Sequence, residues 1–430
     1  MSATDEREAA RAVSLSFNET LQAIKTDSKI SFADSGAVDA FGRLRVSSPT
    51  VTLFESQLTY DLQPLLYEQI TNGSGATIAH DATNRNALLT FSSSPTGGKA
   101  IMQSFEHMRY QPGKSQFIAM TFNMLGGVAN TVKFVGYSDG TNGIEFAMAG
   151  LTPTVRIFSS TGNGNQSIIQ SNWNLDKLDG TGVSGITFNA SYAQILIIDF
   201  QALYTGRVRI GFNIDGVDFY VHEFLHANNS THPYLATANL PVRCGMTCTG
   251  TVSTTMKFQC ATVSTEGGQD LPASYHFTTE SSVTAASGAR THALSIRPQA
   301  LFNSFANRGK FILDSVSILV TGNSPVKYEL CIGQAISGTT TFSSVNATYA
   351  AIEVNTAGTI SGSPAIVFDI GYIAASNQFK GVLVSNSPMK YPITLDAAGV
   401  ARLLGTVSVV VEGVGGASAC RVSLNWHGIR

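Results

Sequence analysis

Apolar and polar side chains alternate most regularly between residues 194 and 243. The run Ile-Leu-Ile-Ile at 195–198 is rich in β-branched residues and too short for a membrane span, which predicts a strand buried on both faces. Residues 207–214 then switch between apolar and polar at every step, the two-residue period of a strand with one buried face. Asp215 and Gly216 follow, and both tolerate the positive φ of a tight turn. The pattern predicts a long antiparallel hairpin at the centre of a β-sandwich.

This turn sets the register that we expect for the hairpin. Counting outward from it brings apolar side chains opposite apolar ones on one face and polar side chains together on the other. The predicted pairs are Ile214 with Val217, Asn213 with Asp218, Phe212 with Phe219, Gly211 with Tyr220, Ile210 with Val221 and Arg209 with His222.

Short strand patterns separated by Gly-rich turns recur from about residue 85 to 263 and again from 291 to 426. This rhythm predicts an all-β chain with two antiparallel β-sandwich, jelly-roll-like domains. Residues 53–56 are expected to be irregular and 60–68 to hold a short strand. The polar stretch 265–270 has no periodicity and is expected to join the domains, which we place at 31–264 and 265–430.

Residues 4–26 carry the pattern of a helix. Val13, Phe17, Leu21 and Ile24 recur at helical spacing and form one apolar stripe, and acidic residues near the start suit the positive end of the helix dipole. Such a stripe must be buried. It packs either against a neighbouring subunit, where residues 1–30 would anchor or oligomerise the chain, or against the chain's own sandwich.

Composition limits the classes of function. The 430 residues carry a net charge of −2 with 13% charged side chains, about half the usual share. So weak a field predicts no nucleic-acid binding, and the absence of a 20-residue apolar segment predicts no membrane insertion. The five cysteines lack a paired spacing, and no signal peptide opens the chain, so we expect free thiols in a reducing compartment. Low surface charge suits a protein packed into an assembly.

The sequence HEFLH at 222–226 has the spacing of a zinc protease motif. Two histidines four residues apart share a metal only on a helix, where both rings reach the same side. Here the hairpin pattern continues as strand through His222, and no third ligand has a suitable spacing. We therefore expect a strand end or turn whose histidines form local hydrogen bonds.

Two aspartate pairs and two oxygen-rich loops are the other candidates for chemistry. Glycosidases hold two carboxylates roughly 5 to 10 Å apart across a cleft, which no sequence pattern supplies here. The pairs are Asp215 with Asp218 and Asp176 with Asp179; the loops, at 138–143 and 173–180, contain calcium-type ligands without the flanking helices. Turn chemistry accounts for all four. We predict no catalytic residue, no cofactor and no metal site, and hence no enzyme.

Three segments together resemble a family of virion structural proteins of tailed bacteriophages. They are DAFGRLRVS at 39–47, YQPGKSQ at 110–116, and GRVRIGF at 206–212 leading through HEF at 222–224 and AN at 227–228 to NLPVR at 239–243. The resemblance covers about residues 34–250. One departure is Tyr204, where the family pattern carries tryptophan.

This resemblance implies a lectin-like first sandwich and a protein that works by assembly in the virion after folding in the bacterial cytoplasm. We expect a tail-associated fibre, collar or appendage subunit that forms a homo-oligomer, with three copies favoured, and binds other virion proteins. Assembly would use Phe41, Arg43 and Arg45 with the four stripe residues named above.

Two alternatives stay open. One is a capsid decoration or head-fibre protein, which needs the same surface chemistry. The other is a carbohydrate-binding module for host surface glycans, which would need exposed aromatic rings beside amides; Tyr220, Tyr234 and Trp173 are the candidates.

Overall fold

A computed structural model describes residues 17–18, 23–24, 38–45, 50–268, 275–375, 378–383 and 393–429. The regular elements in these residues are β-strands, with short 3-10 turns at Gln170–Asn172 and Leu403–Gly405, and no α-helix occurs among them. Every strand pair is antiparallel in the sheets that these residues form. The prediction of an all-β chain of antiparallel sheets is confirmed.

The predicted N-terminal helix is not supported. Within residues 4–26 the structure describes β1 (Phe17–Asn18) and β2 (Ala23–Ile24), which pair antiparallel with Phe17 opposite Ile24. An apolar stripe stabilises a helix mainly through the surface it packs on, so the pattern alone does not secure one. Val13 and Leu21 lie outside the described residues.

The first sandwich is built from two sheets. The seven-stranded sheet has the order β12-β11-β10-β9-β16-β7-β4, and the eight-stranded sheet the order β15-β14-β13-β8-β17-β6-β5, with β3 paired to β17. Inward-facing apolar side chains of both sheets form one core. The strands are β3 Thr50–Gln57, β4 Tyr67–Asn72, β5 Ala76–Asp81, β6 Asn86–Ser94, β7 Lys99–Ser104, β8 Ser115–Asn123, β9 Thr131–Ser138, β10 Gly143–Ala149, β11 Thr152–Phe158, β12 Gln166–Ile169, β13 Gln194–Phe200, β14 Val208–Ile214, β15 Val217–Phe224, β16 Val242–Cys248 and β17 Val252–Glu266.

The hairpin of β14 and β15 turns at Asp215 and Gly216, whose φ values of 51° and 85° fit the predicted tight turn. The first four predicted pairs are confirmed, from Ile214 with Val217 to Gly211 with Tyr220. The next two are wrong, because a β-bulge makes Val221 an extra residue and brings His222 opposite Ile210. The position in the sheet was also wrong, since β15 is an edge strand and not central.

The bulge has a clear physical cause. In unbroken register Glu223 would face the core opposite Val208, and Phe224 would face solvent. With the extra residue, Phe224 pairs with Val208 and is buried, while Glu223 forms an ion pair with Arg207 at 3.4 Å. The carbonyl of Val221 accepts hydrogen bonds from the loop at 175–176, which covers this sheet edge.

A second sandwich follows, with a four-stranded sheet, β18-β31-β22-β29, and a six-stranded sheet, β25-β26-β19-β30-β23-β28. Its own apolar core includes the fully buried Trp426. The strands are β18 Tyr275–Ala285, β19 Thr291–Pro298, β20 Leu301–Phe302, β21 Phe305–Ala306, β22 Lys310–Val320, β23 Val326–Ile332, β24 Ile336–Gly338, β25 Ser343–Ser344, β26 Ile352–Asn355, β27 Gly358–Ile360, β28 Ile366–Ile373, β29 Gln378–Leu383, β30 Val407–Gly413 and β31 Ser418–Ile429.

Two local expectations are corrected. Residues 53–56 belong to the regular strand β3, and strand β4 starts only at Tyr67, because residues 50–57 pair along the end of β17. That pairing also extends β17 through Thr265 and Glu266, which the sequence pattern assigned to the linker. Among the described residues, no helix has the length and apolar character to cross a membrane.

Candidate functional site at a buried charge network

Residues 38–45 form a compact loop closed by its own aspartate. Asp39 Oδ1 accepts hydrogen bonds from the backbone N–H groups of Phe41 and Arg43, at 2.9 and 2.8 Å. Its Oδ2 pairs with the Arg43 guanidinium at 2.7 Å, and Gly42 takes the positive φ of 77° that the turn requires. The Arg43 guanidinium also stacks over the Phe41 ring. The local sequence DAFGR therefore folds this loop largely by itself.

The loop lies on the outer face of the eight-stranded sheet, over a carboxylate in β13. Strand alternation turns Ile198 and Phe200 towards the core and Asp199 to the other face. Asp199 and Arg209 are opposite each other on β13 and β14, and their ion pair is fully buried. Arg209 also donates to the carbonyl of Val38 at 2.8 Å. The loop therefore packs over a buried ion pair.

Arg45 connects the loop to this buried ion pair. Its guanidinium donates to Asp199 Oδ2 at 2.6 Å and to the Tyr220 hydroxyl at 3.1 Å, and it pairs with Glu266 at the end of β17. It also stacks 4.5 Å from the ring centre of Phe117. Burial alone would lower the pKa of Arg45, but Asp199, Tyr220 and Glu266 outweigh it and raise that pKa. The guanidinium therefore stays charged.

Glu266, at the end of β17, is an acid of the network whose pKa is strongly shifted. Burial and then the neighbouring Asp199 carboxylate raise its pKa to about 7, although Arg45 acts in the opposite direction. Burial and Asp199 also raise the pKa of Tyr220 well above its ordinary value, and its hydroxyl donates to Asp199 at 3.1 Å. The site thus contains one carboxylate that titrates near neutral pH and a phenol that remains protonated.

The segments that carry the family resemblance meet here. Ser115, from YQPGKSQ, donates to Asp199 Oδ1 at 2.7 Å and accepts from the backbone N–H of Ala40 at 3.2 Å. Arg43 reaches the carbonyl of Gly113 in the same motif, at 3.4 Å. Arg209 comes from GRVRIGF. The three motifs, far apart in sequence, therefore build one network.

Tyr110, the first residue of YQPGKSQ, connects this motif to NLPVR. Its backbone N–H donates to the side chain of Asn239 in NLPVR at 2.9 Å, and its ring stacks on Phe200. Its hydroxyl accepts from the N–H of Ala202 at 3.0 Å.

This network attaches residues 38–45 to the first sandwich through ion pairs. Its carboxylates face guanidinium groups at close range, and these pairs are buried or half-buried; the acids are Asp39, Asp199 and Glu266 and the bases Arg43, Arg45 and Arg209. Breaking the fully buried Asp199–Arg209 pair by removing one partner leaves an uncompensated buried charge and costs about 3–5 kcal/mol. The network accordingly holds residues 38–45 firmly on the first sandwich. Of the residues proposed for assembly, Arg43 and Arg45 take part directly and Phe41 supports Arg43.

The sequence pattern named the arginines of the loop but missed the residues that bind them. Asp199 is a lone acid in the apolar run ILIIDF, and Arg209 alternates with Val208 and Ile210. A charge inside a strand that is otherwise buried was the available signal.

The histidines of HEFLH are hydrogen-bonded as expected, but their partners lie 48 and 20 residues away in sequence and are not local. His222 lies in β15, and its Nδ1 accepts from the N–H of Asn174 at 3.2 Å. His226 follows the strand; its Nδ1 bonds the carbonyl of Gly206 at 2.9 Å, and its ring stacks 4.2 Å from that of Tyr234. Burial lowers the pKa of His222 to about 4 and also lowers that of His226. Within the described ranges, no three His, Cys, Asp or Glu residues are grouped to hold a metal.

The four aspartates of the two predicted pairs have structural roles in or beside turns. Asp176 accepts from the N–H groups of Leu178 and Ser184, and Asp179 from Thr181. Asp218 accepts from Asn213 at 2.6 Å across the hairpin, and Asp215 occupies the turn.

The candidate aromatics for glycan binding were wrong. Tyr220, Tyr234 and Trp173 are all buried, so none offers a ring face to a sugar. The five cysteines are free thiols, as predicted.

No protein-family model matches the chain, and no curated protein sequence matches it. Solved structures with a similar fold include a β-glucanase of Bacillus licheniformis, with 11% identity and a TM-score of 0.32 over 50% of this chain and 98% of that one. Arcelin-5, a lectin-like defense protein from Phaseolus vulgaris, has 11% identity and a TM-score of 0.29 over 51% and 99%. A carbohydrate esterase from Shiga toxin-encoding bacteriophage phi24B has 13% identity and a TM-score of 0.31 over 51% and 100%. At these identities and TM-scores the similarity supports no conclusion about the function of this chain.

Proposed function

We propose that this chain is a structural protein of a tailed-bacteriophage virion, tail-associated, which acts by assembly and not by catalysis. The observation that carries the proposal is the meeting of the resembling motifs in one buried network. Their residues converge on the buried Asp199 carboxylate and fix residues 38–45 to the first sandwich. An enzyme family would instead be expected to keep its shared motif residues at a site open to substrate.

The network also suggests how the subunit joins its assembly. Residues 38–45 follow the N-terminal segment that we propose for contact with other copies or other virion proteins. An anchor that transmits a load must resist separation from its domain, and several buried, mutually bonded charges provide that resistance. We propose a homo-oligomer, with three copies favoured by the general symmetry of β-rich fibres.

Electron cryo-microscopy of purified phage particles that carry this chain tests the location. We expect density that fits both sandwiches on the tail, with residues 38–45 seated on the eight-stranded sheet. Density on the capsid alone would replace the tail assignment by a decoration or head-fibre role. Absence of the chain from particles, checked by mass spectrometry of the same preparation, would reject the virion proposal.

A variant connects the network to assembly. Arg45→Gln removes the cation that joins the loop to Asp199 and Glu266, and we expect particles to incorporate it less than the wild-type chain. Arg85→Gln is a matched control, because Arg85 is exposed and lies away from the network. Equal incorporation of all three chains would show that the network has no role in assembly.

A further inference from the structure

A cleft of about 750 Å³ opens on the side of the first sandwich, away from the charge network. The lining includes residues 126–127 after β8 and Met148, Leu151 and Pro153 around the turn between β10 and β11. The loop 186–194 adjoins them, since the N–H of Gly126 donates to the carbonyl of Ala190 at 3.0 Å, and Gln170 and Ile214 complete the lining. Both sheets therefore contribute to the cleft, whose volume is within the range of small-molecule sites.

The lining is uncharged. No Asp, Glu, Lys, Arg or His is among the described residues that form it. Tyr192 is 66% exposed there, and Leu151 is an exposed apolar residue of the same lining. The polar groups are amides and hydroxyls, which bond a sugar hydroxyl without needing a counter-charge, while an aromatic ring packs against the apolar face of a sugar.

Hydrogen bonds hold the amides in fixed orientations. Gln170 Nε2 donates to the carbonyls of Lys177 and Leu178, and Gln194 Nε2 donates to the carbonyl of Asn189, each at 3.0 Å. The carbonyl oxygens of both glutamine side chains are left to accept from a ligand. Asn189 has the complementary arrangement, since its Oδ1 accepts from the N–H of Ser191 at 2.9 Å and its Nδ2 is left to donate.

The lining is held in place by neighbouring side chains. Phe188 packs its ring against Phe146 and Phe212, with centroid distances of 5.4 and 4.9 Å, which fixes the loop that bears Tyr192. The buried Lys133 donates to the carbonyls of Met124 and Gly126, at 2.6 and 3.0 Å, which fixes the segment that contributes Gly126 and Gly127 to the lining. A cleft held this way loses little conformational freedom when it binds a ligand.

We propose that this cleft binds an uncharged oligosaccharide, with Tyr192 as the stacking surface and Gln170, Asn189 and Gln194 as hydrogen-bonding partners. An anionic glycan would find no cation in the lining, and a purely apolar ligand would leave the three amides without partners. The site does not depend on the virion proposal, because it uses none of the motif residues.

The full chain is to be screened on an array of oligosaccharides built from glucose, galactose, mannose and N-acetylglucosamine beside sialylated and uronic-acid-containing ones. The tightest ligand is then titrated by calorimetry. We expect uncharged glycans to be retained and Tyr192→Ala to weaken binding by about tenfold, the upper part of the effect of a stacked ring. Tyr192→Phe keeps the ring and should stay within about threefold of wild type.

Tyr60→Ala is the matched control, because Tyr60 is 86% exposed in the same domain and lies outside the cleft. It should bind as the wild type does. No retained glycan, retention of charged glycans alone, or equal affinity of Tyr192→Ala and wild type would each overturn the proposal.

Discussion

Asp199 and Arg209 lie opposite each other on adjacent strands and form an ion pair that solvent does not reach. The Asp199 carboxylate also accepts from Arg45, Tyr220 and Ser115, so both of its oxygens are hydrogen-bonded. The stability of this carboxylate in a buried position depends on every one of these donors. That dependence makes the network open to direct measurement.

Asp199→Ala should lower the free energy of unfolding of the first domain by about 3–5 kcal/mol, because two arginines lose their buried counter-ion. Urea denaturation followed by tryptophan fluorescence measures this change. Each core contains one tryptophan, Trp173 and Trp426, so a Trp426→Phe background leaves Trp173 to report the first domain.

The control for this measurement is Arg43→Gln, which removes a cation from the same loop. The Arg43 side chain is 43% exposed, so its ion pair with Asp39 should be worth less than about 1 kcal/mol. If Asp199→Ala cost no more than Arg43→Gln, the buried network would not be what stabilises the loop.

The raised pKa of Glu266 makes the folding stability depend on pH, and the sign of this dependence follows from the shift. Its pKa is raised from 4.5 to about 7, so the folded chain holds a proton that the unfolded chain has released between those values. The stabilisation is complete below about pH 4.5 and is lost as the pH rises through 7. Glu266→Gln mimics the protonated acid, so it should become more stable relative to wild type between pH 5 and 8, by at most about 3 kcal/mol.

The comparison of the two chains at each pH removes contributions from other groups. His107 is one of these, since burial and then Arg308 lower its pKa to about 3, which acts in the opposite direction. A variant that instead lost stability relative to wild type at pH 8 would show that the Arg45–Glu266 attraction outweighs the cost of burying the charge.

Lys133→Met should destabilise the first domain by about 2–4 kcal/mol. The Lys133 ammonium donates to the carbonyls of Met124, Gly126 and Thr255, and methionine leaves one buried and two partly buried acceptors without it. Thermal unfolding with the same fluorescence reporter measures the loss. Lys177→Met, at an exposed position, should change stability by less than about 0.5 kcal/mol. Similar values for both variants would contradict a structural role for Lys133.

Gly216→Val should destabilise the hairpin by about 1–2 kcal/mol, because φ is 85° at this position and a β-branched residue avoids that region. Asp215→Asn should be nearly neutral, since asparagine readily adopts the φ of 51° found there. Hydrogen exchange of the β14 and β15 amides reports the opening of this hairpin. Equal protection in Gly216→Val and wild type would disprove the turn geometry.

Local features of the fold could be predicted from the sequence, and features that depend on distant partners could not. The turn at Asp215 and Gly216 follows from the intrinsic preferences of two residues. The bulge was also visible in principle, because the apolar alternation through Val221 changes phase at Phe224. Pairing by turn geometry alone ignored that change and carried the register without a bulge to the predicted pair of Arg209 with His222.

The candidate site also combines features that are local in sequence with features that depend on distant partners. Arg45 stands out in its motif, but its partner Asp199 is 154 residues away, and nothing in a single sequence joins the two. Tyr192 lies in a polar, turn-rich stretch that indicates only a loop, and the cleft exists because Phe188 packs that loop into the core. The helix predicted for residues 4–26 failed for the opposite reason, since its pattern was local and required a packing surface that no pattern specifies.

Arg45 precedes its partner Glu266 by 221 residues. During synthesis at ~5–20 residues per second, roughly 10 to 45 s separate the appearance of these two side chains at the ribosome. The ion pair between Arg45 and Glu266 is consequently among the last contacts that the nascent first domain can form. This contact therefore forms only after the C-terminal end of β17, the last strand of the first sandwich, has been synthesised.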